Sequence, residues 1–279
     1  MYSNFFRTAV CTASFLIAQQ ITAQDILPGY QFTTTVDIEA SEVKSQDKTG
    51  TCWSYSTASF LESEIIRMGK PKMDLSEMYV VRHVYPAKAN KYIRMHGSSN
   101  FGEGSLGHDL IDAVASYGIV PNEVYSGLKN GNNYHNHAEM SAVLKAMLDS
   151  YISQKNLSSQ WSHAYNAVLD TYLGEVPESF KYNGKSYTPI SFRDYLGIRT
   201  EDYISISSFT HHPYYKPFIV EVPDNWSNGS FYNVMLDDMV EITKNAIRKG
   251  YTIEWDTDVS NKGFNSKVGI AIEAENNVL

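Results

Sequence analysis

Cysteine is nearly absent from this chain. Its 279 residues hold two, Cys11 and Cys52, too few for the disulfide framework that staples small secreted domains. Positive charge is short as well: 23 Lys and Arg against 31 Asp and Glu leave a net charge of −8. That balance excludes a general nucleic-acid binder, which needs a basic face to displace phosphate counterions. No apolar run is long enough to span a bilayer, and no Gly-Lys-Ser/Thr follows the glycine-rich stretch near residue 104 to make a phosphate cradle. His135 and His137 have no Cys or carboxylate neighbour at ligand spacing, so they read as solvated side chains, and neither metal nor cofactor is implied.

What is present is globular material, 43% hydrophobic and 19% charged, enough for one large or two small cores. Residues 1–23 read as a signal peptide: Arg7 closes a short n-region, Thr8 to Ala18 is mostly small or apolar, and Ile21-Thr22-Ala23 offers a cleavage site. Export to the periplasm or beyond is therefore expected. Cleavage removes Cys11 and leaves Cys52 as a thiol without an internal partner, a hazard in an oxidising compartment unless the thiol is used.

Around Cys52 the sequence runs Gln46-Asp-Lys-Thr-Gly-Thr-Cys-Trp-Ser-Tyr. Thr49, Gly50 and Thr51 supply turn and cap chemistry, and Trp53, Ala58, Leu61 and Ile65 give the apolar spacing of a buried helix, so Cys52 belongs in a helix's first turn. Unpaired N–H groups and the positive end of the helix dipole favour a thiolate there. Gln46, six residues upstream, can aim an amide N–H at the sulfur, and with the Cys52 N–H it would hold an oxyanion. The plainer alternative is a small buried core cysteine.

Gln46 to Tyr55 resembles the active-site entry of papain-like cysteine peptidases, and further segments resemble their bleomycin hydrolase and aminopeptidase C branch. These are Leu75-Ser76-Glu77, the glycine-led stretch from Gly104 to Tyr125, Ser208 to Pro217 and Trp255 to Phe264. The resemblance implies an α+β, papain-like two-domain fold. It also implies peptide-bond hydrolysis through a Cys52 acyl-enzyme, with Gln46 in the oxyanion hole and Gly102, Gly104 and Ser105 on the peptide-binding loop. The partner implied is a peptide substrate, with no nucleic acid and no membrane span after signal removal. Residues 128–178 resemble the helical insertion the branch uses for assembly or shielding, which admits a homo-oligomer.

The domain order expected is a leader (1–23), a crossing segment (24–44), a helical domain with the nucleophile (45–127), the insertion (128–178) and a partial β-rich domain (179–279). Asp74 to Glu77 has capping-box character and opens a helix expected to end near Pro86. Gln31 to Ile38 is β-prone, strands are expected at Tyr203–Ile206, Phe218–Val222, Tyr251–Trp255 and Val268–Ile272, and a helix runs from about Leu236 to Lys249. Asn225 to Ser230 reads as a turn.

A cysteine peptidase also needs an imidazole and a group to orient it. The family's Asp-His-Ala/Gly and Asn-Ser-Trp-Gly patterns do not occur here. His108 reads as a surface or capping residue, and His211 and His212 lack the apolar strand that carries the family's His. The expectation is that the base and its orienter fall beyond Leu279, leaving little activity in this polypeptide. Two other readings stay open: an inactive exported chain that at most binds peptides, and a different Cys-dependent acyl transferase.

Overall fold

The structure, a computed structural model, describes residues 33–129, 131–260, 263–267 and 269–271. The leader and Cys11 lie outside the described residues. The chain divides into two units, one spanning Val36–Asp256 and the other built from Met1–Thr35 with Thr257–Leu279.

In the larger unit the helices come first: α1 (Cys52–Arg67), α2 (Glu77–Arg94), α3 (Gly107–Tyr117), α4 (Ala138–Ile152) and α5 (Gln160–Leu173). Their apolar stripes meet in one core. Leu61 and Ile65 of α1, Val81 and Ala89 of α2, Leu110 and Val114 of α3, Leu144 and Leu148 of α4 and Tyr165 and Leu169 of α5 are all buried in it. Helices α4 and α5, expected from the spacing in 128–178, therefore share the core of the Cys52 helix.

Helix α2 begins as predicted, with Ser76 accepting a hydrogen bond from the Tyr79 N–H. It does not stop at Pro86. An interior proline costs about 3 kcal/mol, but Ala89 and Tyr92 beyond it are buried and Lys88 is anchored. Burial of one further turn outweighs the lost backbone bond. The α2 helix is also tied to α5 by Arg82, whose guanidinium donates to Asp170 at 2.6 Å and to Asn166 at 2.9 Å.

After α5 the sequence reading is less faithful. Strands β1 (Phe180–Tyr182) and β2 (Lys185–Tyr187) form an antiparallel hairpin across Asn183-Gly184, both at positive φ. Helix α6 (Pro189–Leu196) follows, with Thr188 accepting from the Ser191 N–H, Pro189 at the first helical position and Gly197 left-handed past its end. Phe192 and Leu196 of α6 enter the core.

A three-stranded sheet follows in the order β3 (Ile206–Ser207), β5 (Ser230–Asn233), β4 (Lys216–Ile219), with β5 parallel to β3 and antiparallel to β4. The central strand lies just past the predicted turn. Residues 225–230 do turn, around a buried Asn225 whose amide donates to Val220 and Gly229 carbonyls. Tyr203–Ile206 is mostly a 3-10 exit and loop, residues 33–38 form no strand, and Tyr251–Trp255 forms none either. Its Trp255 is 78% exposed, without the flanking strand that would make pairing favourable. Helix α7 (Leu236–Arg248) matches its prediction and buries no residue.

In the smaller unit β6 (Phe264–Asn265) and β7 (Ile270–Ala271) pair antiparallel; β7 falls within Val268–Ile272, where a strand is expected, and β6 lies before it.

Candidate active site

Cys52 is the first residue of α1, and its side chain is exposed. The turn before it is built from its own side chains. Gln46 Nε2 donates to the Thr49 carbonyl at 2.6 Å, Thr49 Oγ1 donates to the Gln46 carbonyl at 2.8 Å, and the Thr49 and Thr51 hydroxyls lie 2.6 Å apart. Gln46 is thus held in the turn, with one of its two amide hydrogens engaged and the other available.

This turn is clamped from outside by Glu103, a residue the sequence reading passed over. Its Oε2 accepts from the Gly50 N–H at 2.6 Å, its Oε1 from the Ser141 hydroxyl at 2.7 Å, and its carbonyl from the Trp53 indole at 3.0 Å. A Cβ on Gly50 would stand 2.9 Å from the Glu103 Cβ, so glycine is required by close approach. Lys48 exchanges backbone hydrogen bonds with the His135–His137 stretch at 3.1 and 3.2 Å. That pairing corrects the reading of His137 as solvated: it is 3% exposed, because the backbone ladder draws it inward beside Glu103.

The glycine-rich loop 100–107 is supported from below by Lys88. Buried on α2, its ammonium donates to the Gly102 carbonyl at 2.7 Å and also to the Gly104 carbonyl. Burial pulls Lys88 down to about 8, against Asp224, Asp109 and Glu103, which pull it upward. From above, the turn at 224–227 lies on the loop. The Asp224 carboxylate occupies the space beside Gly104, 2.5 Å from where a Cβ would be, and accepts from Asn100 Nδ2 at 3.1 Å. The Trp226 indole donates to Ser105 Oγ at 2.7 Å, and Ser105 Oγ donates to Asp109 at 2.5 Å. Of the three loop residues singled out from sequence, Gly102 faces open space, Gly104 faces Asp224, and Ser105 is buried with its hydroxyl engaged.

On the Cys52 face of α1, one turn along, Ser56 donates to Glu254 at 3.0 Å. A carboxylate therefore lies on this face of α1. Although the residue is open to solvent, the protein packed around it desolvates the Cys52 thiol in part and pushes it above its ordinary value; the N–H groups of Trp53 and Cys52 pull it down, and Asp256 and Asp224 push it further up. The helix-start amides act as the sequence predicts, but here they are outweighed.

None of the chain's eight histidines forms a hydrogen bond or ion pair with Cys52 among the described residues. His108, in the first turn of α3, meets the Ser227 hydroxyl at 3.0 Å, and His212 meets Glu221 at 3.3 Å. His83 stacks on Tyr117 with ring centroids 4.1 Å apart. A cavity of about 230 Å³ lies beside Lys44, Asp47, Tyr55, Glu77, Asn122 and His135, and neither Cys52 nor Gln46 lines it. No helix among the described residues is long and apolar enough to cross a membrane.

Compared with known proteins, residues 102–275 match the family described as Peptidase C1-like, and residues 32–171 match the papain family of cysteine proteases. Aminopeptidase C of Lactobacillus delbrueckii subsp. lactis is 25% identical over 282 residues, covering 85% of this chain and 63% of that protein. Aminopeptidase G of the same organism is 21% identical over 267 residues, covering 81% and 61%. The crystal structure of PepW from Lactobacillus rhamnosis superposes with a TM-score of 0.64 at 19% identity, covering 78% of this chain and 59% of that one. The chain thus spans about three-fifths of the length of these relatives, and its mixed helix and sheet architecture is that of the papain-like fold.

Proposed function

Because this chain belongs to the papain-type C1 peptidase family, we propose that it is a cysteine peptidase of aminopeptidase type with Cys52 as its nucleophile, acting on peptides. The observation that carries the reading is the exposed Cys52 at the first position of α1, six residues after a Gln46 whose amide is fixed in the preceding turn. In this reading the Cys52 sulfur attacks a peptide carbonyl. The Cys52 N–H and the free amide hydrogen of Gln46 take up the charge on its oxygen, and the open backbone at Gly102 admits the substrate chain.

The base that completes the reaction is not one of the histidines described above. Without an imidazole to take the thiol proton and return it to the leaving amine, amide hydrolysis by this polypeptide is slow or absent. Binding without turnover, the alternative reading, is favoured for the same polypeptide because no histidine among the described residues is bonded to Cys52. Export belongs to the same proposal, on the strength of the stretch from Arg7 to Ala23, and is tested by the N-terminal residue of the protein recovered from the cell envelope or medium.

A peptidyl aldehyde tests the site directly, because its hemithioacetal places an oxyanion where the hole must be. The expected result is reversible addition at Cys52, weakened at least about tenfold by Gln46→Ala, with alkylation by iodoacetamide unchanged. Equal weakening of both reactions would assign Gln46 to the turn alone.

A further inference from the structure

The corner at 209–221, the turn between β3 and β4 together with β4 and the residues just after it, is remote in sequence from Cys52 and gathers two imidazoles and a carboxylate that the peptidase reading leaves unused. His211, His212 and Glu221 each offer one ligand atom, and these atoms all lie within 4.8 Å of one another. The His212 ring nitrogen and Glu221 Oε2 are 3.3 Å apart, close to the ligand–ligand edge of a small tetrahedral site. The two imidazole rings stand 4.3 Å apart at 47°, so they converge without stacking flat on each other.

This corner is held in shape by a buried side chain. Asn233, at the end of the central strand β5 and 0% exposed, accepts from the Phe209 N–H at 2.8 Å through Oδ1. Its amide nitrogen lies 2.9, 3.0 and 3.3 Å from the carbonyls of Phe209, His212 and Pro213. One asparagine thus fixes the backbone that carries both histidines. Aromatic rings flank the imidazoles: Phe218 is 4.5 Å from His212 and Phe209 is 5.4 Å from His211. Preorganised ligands with oriented rings are what a metal site needs before the ion arrives.

The other acidic cluster of similar compactness, Glu62, Asp74 and Glu77, already surrounds the Lys44 ammonium. At the histidine corner no Lys or Arg side chain among the described residues is paired with Glu221. From this juxtaposition we propose that His211, His212 and Glu221 bind a divalent transition ion of the zinc class, with solvent in the remaining position. Two imidazoles with one carboxylate select such an ion over calcium or magnesium, which take oxygen ligands. The ion would brace the corner at 211–212 against the chain just after β4.

The test is calorimetric titration of the tag-free full chain with Zn2+, carried out on the double variant Cys11→Ser, Cys52→Ser so that neither thiol can serve as a ligand. One Zn2+ per chain is expected, with the melting temperature raised on binding. His212→Ala is expected to weaken binding at least about tenfold, and Glu221→Gln several-fold. Glu221 is exposed, so its variant reports on binding even if His212→Ala misfolds, and circular dichroism distinguishes the two outcomes. Absence of saturable binding, or binding equally tight in Glu221→Gln and a folded His212→Ala, overturns the proposal.

Discussion

At the residue scale the decisive contest is over the Cys52 proton. The amides of Cys52 and Trp53 stabilise a thiolate, while burial and the carboxylates of Asp256 and Asp224 oppose it, and opposition prevails. A reactive cysteine in this family setting would be expected to do better with a cation beside it. Removing a negative neighbour must lower the thiol's pKa and so speed alkylation at a fixed pH. Asp224→Asn is therefore expected to raise the iodoacetamide rate at pH 8 by about two- to fivefold, with Asp256→Asn acting in the same direction. The alkylation profile of the parent chain should rise at higher pH than that of free cysteine. A slower reaction in both variants would show that the carboxylates position the sulfur instead of repelling its charge.

At the scale of elements, the irregular segment before α1 is anchored further by a lysine ahead of the Glu103-clamped turn. The Lys44 ammonium reaches Glu62 at 3.1 Å, Asp74 at 2.5 Å and Glu77, joining this segment to α1 and α2. Burial alone would lower Lys44, but Glu77, Asp74 and Glu62 outweigh it and hold the ammonium well above its ordinary value. Glu62 is 1% exposed, its Oε1 also accepts from the Leu75 N–H at 2.8 Å, and Glu77 is 3% exposed. Lys44→Met leaves two buried carboxylates without a counter-ion, and should cost about 3 kcal/mol or more in urea unfolding. Adding Glu62→Gln and Glu77→Gln should recover much of that loss. A cost below about 1 kcal/mol would mean that water reaches these carboxylates.

The same scale shows what the sequence could and could not disclose. Cys52 at a helix start was legible because turn, cap and apolar spacing are all local to residues 46–65. The β1–β2 hairpin and α6 had equally local signals, Asn183-Gly184 and Thr188-Pro189 with Gly197, but a composition rich in β-formers masked them. Lys88, Glu103 and Asp224 were not legible. Lys88 looks like one more polar residue of an amphipathic helix until the carbonyls of Gly102 and Gly104 are placed over it. Asp224 acquires its role only when its turn is laid on a loop more than a hundred residues earlier.

At the scale of the whole molecule, acid stability depends on histidines the fold keeps neutral. Burial, aided by Arg82, brings His83 down to about 4; burial does the same for His137, with Glu103 opposing and His135 adding to it. The unfolded chain takes up these protons near pH 6.5, before the folded one does. Stability is thus complete above pH 6.5, falls as pH drops from 6.5 towards about 4 and levels off below that, by roughly 3 kcal/mol for His83. His83→Phe keeps a ring against Tyr117 and removes the titration. Its stability relative to the parent should improve by that amount between pH 7 and pH 4, and a difference independent of pH would contradict the assignment.

The central claim joins these scales: in the proposed reading Cys52 is a nucleophile and Gln46 an oxyanion donor, and among the described residues no imidazole is paired with the sulfur. The most direct measurement compares an activated ester with a peptide amide, using the purified polypeptide at pH 8. The account predicts one equivalent of product from a p-nitrophenyl ester, lost in Cys52→Ala, and no sustained turnover of the amide. Sustained amide turnover that requires both Cys52 and one of the histidines at 83, 108, 137, 211 or 212 would contradict it.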